Sequence, residues 1–231
     1  MTSAPLSIVI PTLNAMPRLI GCLSALVEGL SAGLVRDVTI VDAGSSDTTR
    51  DLALDMGCRV VECPPEARGR GHQLAMGAQH CQGEWLLFLH ADSLLQAGWI
   101  EAIEAHIAQA PNKAGYFVMS FDDDSSGARR TAFWANWRAL RFGLPYGDQG
   151  LLMLRSHYDA IGGYRALPLM EDVDLVRKIG KHHLRRLPAM VITSADKYRQ
   201  GGWWRTSIRN MALLMTYFLG VQPARFKDWY R

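Results

Sequence analysis

Two acid–base groups stand two residues apart at the end of an apolar run: His90 and Asp92 close the stretch LLFLHADS, residues 86–93. A run of that composition reads as a buried strand, and one that had only to be buried would finish in a turn residue. An aspartate offers a hard oxygen ligand to a divalent cation that bridges a diphosphate, and a histidine offers a second ligand. Polar groups also follow the other early strand candidates: Pro11, Thr12 and Asn14 after SIVI, and Asp42 after VTIV. Asp42 reads either as an acceptor for a base or ribose or as the cap of its own turn. Arg68 and Arg70 precede a helical stretch and suit phosphate oxygens. Later in the chain Glu171 and Asp172 sit between LPLM and VDL. Such a carboxylate suits removal of a proton from a hydroxyl, and it equally suits the dipole at a helix start.

These groups meet only if the elements that carry them converge. LSIVIP is a short β-branched strand, and residues 17–30 place Leu19, Cys22, Leu23 and Leu26 at helical spacing. The theme repeats with a strand at Val38–Val41 and a helix over Asp47–Met56 capped by Ser46 or Asp47. CRVVEC and GHQLAMGAQH form a third unit, and EWLLFLHA with GWIEAIEAHIAQ a fourth. Four such units predict an α/β fold: a Rossmann-like, mostly parallel central sheet with helices on both faces. The ligand-binding edge of such a sheet lies outside the carboxyl ends of its strands. The second half is less regular, with strands expected at GYFVMSF, QGLLMLR and RRLPAMVITS, and helices around RRTAFWANWRALR and over Glu171–Lys181.

Length and composition bound the rest. A chain of 231 residues, 48% hydrophobic, supports one large domain, and a formal charge of +3 suits phosphate-bearing ligands without deciding anything. No nucleic-acid partner is expected. Cys22, Cys58, Cys63 and Cys81 lack zinc-like spacing and read as reduced thiols. The N-terminus MTSAPLSIVIPT has no basic start followed by a long apolar run, so a cytoplasmic location is the default expectation. MALLMTYFLGV falls well short of the ~20 residues that cross a bilayer. Neither G-x-G-x-x-G after the first strand nor G-x-x-x-x-G-K-[ST] is present, which counts against hydride transfer and ATP hydrolysis.

Taken in order, SIVIPTLN, VDAGSSDTT, GRGHQLAMGA, LFLHADS, GDQGLLMLR and MEDVDL resemble the family-2 glycosyltransferases of the GT-A fold. GDQG, the HAD form of the metal motif and the ending WWRTSIRNMALLMTYFLGVQPARF further resemble the small bacterial branch labelled radical-SAM/selenodomain-associated transferase 2. The resemblance implies sugar transfer with inversion from a nucleotide-diphosphate donor, UDP or GDP, to a small-molecule or lipid acceptor. It implies a single domain over residues 1–202, with a nucleotide-sugar half (1–110) and an acceptor half (111–202), followed by an amphipathic helix and tail (203–231). Residue by residue, it puts Pro11, Thr12, Asn14, Asp42, Arg68 and Arg70 at the donor. It gives Asp92, with His90, a Mg²⁺ or Mn²⁺ ion on the diphosphate, and makes Asp172, or second Glu171, the catalytic base. Asp148, Gln149 and Trp203 fall on the acceptor side. The sequence departs from the family pattern at Ala15, where many members carry Glu, and at His90, where many carry the first Asp of Asp-x-Asp. The alternatives are a nucleotidyltransferase, disfavoured by the missing glycine in PTLNAMPR, and a non-catalytic sugar-nucleotide-binding protein.

In the C-terminal segment Ile208, Met211, Ala212, Met215, Phe218 and Leu219 share one side of a helix. That side is expected either to dock, on the domain or on a second copy in a homodimer, or to lie peripherally on the inner membrane surface. Trp134 and Trp137, three residues apart, either stack on a sugar or belong to the core.

Overall fold

Leu6, Ile8 and Ile10 point to one side of the first strand and Val9 to the other, and all four are fully buried. A strand buried on both faces needs helices on both, and the computed structural model, which describes residues 4–221 and Pro223, has them. β1 (Leu6–Thr12) is flanked by β2 (Val35–Asp42) and β4 (Trp85–Phe88), with β3 (Arg59–Glu62) outside β2, all parallel. Among the described residues eight strands form one sheet in the order β3-β2-β1-β4-β7-β6-β8-β5. These add β5 (Leu94–Leu95), β6 (Ala114–Phe121), β7 (Leu151–Leu154) and β8 (Leu184–Thr193). β7 is antiparallel to both β4 and β6, and β5 is antiparallel to β8, whereas β6 and β8 are parallel.

One core lies under α1 (Arg18–Ser31), α4 (Trp99–Gln109) and α5 (Ser126–Phe142), where Trp99 and Phe117 are fully buried. Trp99 lies against Gly29, where an added Cβ would come within 2.4 Å of the indole ring. The opposite core packs α3 (Arg70–His80) and α7 (Glu171–Ile179) through Leu74, Ala78, Leu175 and Val176. α3 sits so close to β1 that a Cβ on Gly77 would fall 2.3 Å from Val9. The four cysteines are free.

Several elements differ from expectation. α2 spans Thr49–Asp55 and starts later than expected, because Asp47 turns its carboxylate onto the Thr49 and Met16 N–H groups instead of capping a longer helix. α6 (Arg155–Ala160) and α8 (Asp196–Gly201) carry too short an apolar pattern to be read from sequence. α9 (Trp203–Phe218) docks through Thr206, Leu213 and Leu214, and the side that the apolar pattern singled out faces solvent. The tail expected at 222 and 224–231 lies outside the described residues. Among the described residues no helix is long and apolar enough to cross a membrane.

Candidate active site

The antiparallel pairing of β7 with β4 sets Leu151 opposite Phe88, so the turn ahead of β7 folds over the tip of β4. That register brings Asp148, three residues before Leu151, to His90, two residues after Phe88. Asp148 Oδ1 lies 2.8 Å from His90 Nδ1. His90 Nε2 is buried without a hydrogen-bond partner. It faces the corner made by Gly147 and Asp172: a Cβ on Gly147 would stand 2.3 Å from Nε2 and 2.6 Å from Asp172 Oδ2.

Asp172 is presented by the first turn of α7, which holds Glu171, Asp172 and Asp174, with Arg177 and Lys178 in the last turn. Both ends suit the helix dipole. The residue before the helix, Met170, has a left-handed φ of 65°, an uncommon strain in a non-glycine residue that functional segments often hold. Surrounding contacts hold it: Arg165 pairs through two nitrogens with Asp174, and Tyr217 of α9 donates to the same carboxylate. Asp172 Oδ2 accepts from the Gly147 N–H at 3.0 Å, and Oδ1 from the Tyr164 hydroxyl at 3.4 Å. Burial, then the charges of Asp172 and Glu171, push the Tyr164 phenol well up, so it stays protonated as a donor. Glu171 is buried, with its Oε1 3.7 Å from Arg70 Nη1. Its pKa is raised, by burial first and by Asp172 second, against the pull of Arg70. Of the paired carboxylates, Asp172 is the more accessible.

Around this corner the charges answer one another. Burial opposes ionisation of Asp148, but the His90 hydrogen bond and the charges of His90, Arg70 and Lys197 bring its carboxyl down to about 2. Burial and Arg70 work against a proton on His90, yet Asp148 and then Asp172 hold its pKa above the ordinary value. Lys197 is lowered to about 8, by burial and then by the like charges of Arg209 and Arg70. Arg70, Lys197 and Arg209 thus act on one region, a concentration of positive charge suited to a diphosphate.

The donor-side candidates form a tight frame. Asp42 is buried; Oδ1 accepts from Thr12 Oγ1 at 2.9 Å and from the Ser45 hydroxyl, and Oδ2 accepts from the N–H groups of Gly44 and Ser45. These bonds make it the cap of its own turn. Asn14, with φ 51°, accepts at Oδ1 from the Ser46 N–H at 2.8 Å and locks the loop after β1 to the loop after β2. Arg68 lays its guanidinium against Gly44, and Pro11 is half-buried at the end of β1.

Two acceptor-side candidates point elsewhere. Gln149 is fully buried, and its amide donates to Phe117 O and Asn136 Oδ1. Trp203 stacks on Tyr198 with ring centroids 4.8 Å apart and packs over Gly127, so it is part of the α5–α9 contact. Tyr146, Tyr164 and Lys197 join the site although no motif marks them, and Arg209 joins it from the tryptophan- and arginine-bearing start of α9. The one signal available was the aromatic residue in GGYRALPLMED, eight positions before Asp172.

Among the described residues no three His, Cys, Asp or Glu side chains group as a metal cage. His90, expected beside Asp92 as a ligand, turns its two nitrogens to Asp148 and to the Gly147–Asp172 corner. Asp92, whose Oδ2 accepts from the Thr193 hydroxyl at 3.3 Å, is a single carboxylate at the strand tip. That set fits an ion held by one carboxylate together with substrate phosphates and water, the usual habit of Mg²⁺.

Residues 7–167 match the family model described as Glycosyl transferase family 2, a match that ends short of Glu171 and Asp172. The PGL/p-HBAD biosynthesis glycosyltransferase of Mycobacterium tuberculosis is 32% identical over 114 residues, 47% of this chain and 44% of that protein. The matched stretch thus spans under half the length of these curated relatives. The mannosyltransferase PcManGT from Pyrobaculum calidifontis, solved with GDP-Man and Mn²⁺, superposes with a TM-score of 0.67 at 19% identity, over 96% of this chain and 67% of that one. S. aureus TarS 1-349, solved with UDP-GlcNAc, superposes with a TM-score of 0.65 at 14% identity, over 82% of this chain and 58% of that one. At these identities the shared property is the fold.

Proposed function

From the premise that this chain belongs to glycosyl transferase family 2, we propose that it moves a sugar from a nucleoside diphosphate donor to an acceptor hydroxyl with inversion at the anomeric carbon, Asp172 serving as base. One observation carries the reading. The Asp172 carboxylate is held by the Gly147 N–H at Oδ2 and the Tyr164 hydroxyl at Oδ1, yet stays partly exposed, in the corner where the tips of β4 and β7 meet the arginines and lysine described above. The nucleotide sugars held by PcManGT and TarS support the donor class.

In the proposed step the acceptor oxygen bonds to the anomeric carbon as the bond from that carbon to the diphosphate oxygen breaks. The acceptor proton passes to Asp172, and the electron pair leaves with the nucleoside diphosphate. Tyr164 and the Gly147 N–H fix the carboxylate, so its position is set before substrate arrives. Arg70, Lys197 and Arg209 offset the charge that grows on the leaving group. Asp92 at the tip of β4 would hold a divalent ion, which would supply further charge neutralisation for the leaving group.

The test is release of UDP or GDP from UDP-glucose, UDP-GlcNAc and GDP-mannose, with water as the minimal acceptor, by wild type and Asp172→Asn. Release from one donor, lost in Asp172→Asn while thermal stabilisation by the nucleotide persists, supports the reading. Equal release by both proteins removes Asp172 from the role of base. Nucleotide binding with no release from any donor favours a binding protein.

A further inference from the structure

α5 and α9 leave an apolar surface open that the reaction centre does not use. On α5 the rings of Phe133, Trp134, Trp137 and Phe142 touch in sequence, with centroids 5.6, 5.3 and 5.3 Å apart, and all four are exposed. On α9 Trp204, Ile208, Met211, Met215 and Phe218 form one exposed stripe, with Trp204 63% and Ile208 64% exposed. The helices join at Gly127, which packs on Trp203, and at Arg130, whose guanidinium lies 4.1 Å from the Trp204 ring. Two exposed apolar runs joined in this way on a water-exposed surface mark an interaction site.

The charges say what covers it. Ser126–Phe142 holds four arginines and Trp203–Phe218 two, and neither helix holds an Asp or Glu. Arg129, Arg141 and Arg205 are exposed, and Arg177 of α7 leans over Phe218 at 5.1 Å. A second copy packed face to face would set these arginines against themselves with no carboxylate on either helix to answer them. Tryptophan and phenylalanine flanked by arginine are what an anionic bilayer surface accepts: the rings enter the headgroup boundary and the guanidinium groups meet phosphates.

We propose that the α5–α9 face docks on an anionic membrane and that the acceptor hydroxyl is presented there by a lipid or lipid-linked molecule; the second clause rests on the transferase reading above. The same helices frame the reaction centre. Arg138 of α5 stacks 3.4 Å over Tyr146, the neighbour of Gly147, and Tyr217 of α9 donates to Asp174 in the first turn of α7, the turn that carries Asp172. On this proposal a docked α5–α9 face brings the candidate corner, which shares α5 and α9 with it, toward the headgroups.

The test is sedimentation of the full chain with vesicles of phosphatidylcholine alone and of phosphatidylcholine containing phosphatidylglycerol, at low and high salt. Wild type is expected on the anionic vesicles and to leave them as salt rises. The double variant Trp134→Glu, Ile208→Glu is expected to bind at least about tenfold less, the change of an apolar anchor to a charge. Arg129→Glu with Arg141→Glu, which leaves the apolar face intact, is expected to lose the preference for phosphatidylglycerol. Retained melting temperature shows that each variant is folded. Binding equal for wild type and both variants, or none to either vesicle, overturns the proposal, as does a dimer in light scattering that the Trp134→Glu, Ile208→Glu pair dissolves. Asp172→Asn is expected to bind vesicles like wild type, so failure of catalysis and failure of docking are read separately.

Discussion

Gly147→Ala is the substitution to which the proposed mechanism is most exposed. The new Cβ would stand 2.3 Å from His90 Nε2 and 2.6 Å from Asp172 Oδ2, where ordinary contact begins near 3.4 Å. Gly147 does not have a left-handed φ, so alanine is tolerated by the backbone and the cost falls on these two side chains. His90 is fixed at Nδ1 by Asp148 and is only 12% exposed, which leaves it little room. The carboxylate on its short side chain must then retreat by about 0.8 Å, and a displacement near 1 Å of a reacting group costs on the order of 100-fold in rate, or about 2.7 kcal/mol. The assay is nucleoside diphosphate release under donor saturation, with melting temperature and nucleotide-induced thermal shift measured alongside. The expected result is a kcat reduced about 100-fold in a folded protein that still binds nucleotide. A folded Gly147→Ala protein with wild-type kcat would refute the claim that this carboxylate's position matters.

Three further outcomes are expected. Removing divalent metal with a chelator, or Asp92→Ala in its presence, should abolish any metal-dependent part of the nucleotide thermal shift; a metal-dependent shift that persists in Asp92→Ala would remove Asp92 as the ligand. For the Asp148–His90 pair, the raised His90 pKa contributes stability below its unfolded value of about 6.5, lost as pH climbs through the folded value, and the lowered Asp148 pKa contributes stability above about 3.9, lost as pH falls toward about 2. The difference in urea midpoint between wild type and Asp148→Asn should therefore be widest near pH ~5 and shrink at alkaline pH; a gap that does not change with pH would contradict the pairing. Trp99→Ala empties a fully buried site and should destabilise by about 3–5 kcal/mol in urea unfolding, whereas a loss under about 1 kcal/mol would contradict the packing on Gly29.

The first half of the fold was readable because its strands are short apolar runs and its helices carry a clear apolar period, so β1 to β4 and their helices emerge with shifted ends only. The sheet order beyond β4 was not, since nothing local in QGLLMLR states that the strand it forms runs against β4. His90 and Asp148 were each singled out, yet their pairing depends on that antiparallel register and so was invisible. Gln149 and Asp148 are adjacent and polar; which one turns inward is decided by the hydrogen bonds that Phe117 O and Asn136 offer from distant elements. The apolar stripe on α9 was read correctly as a stripe, but periodicity does not say which neighbour it meets. Leu213 and Leu214, on another side of the helix, make the contact.

The reversed direction of β7 also bears on how the molecule comes into being. His90 leaves the ribosome with the first half of the chain, while Asp148, Tyr164 and Asp172 emerge later, and they reach it only once β7 has inserted between β4 and β6. Such pairing between distant segments is among the slower steps of folding. On the proposed mechanism, reactivity therefore arrives last in the life of each new molecule, after the frame of β1, β2 and β4 has formed. A translation arrest before residue 172 would yield a chain with that frame and without the proposed base.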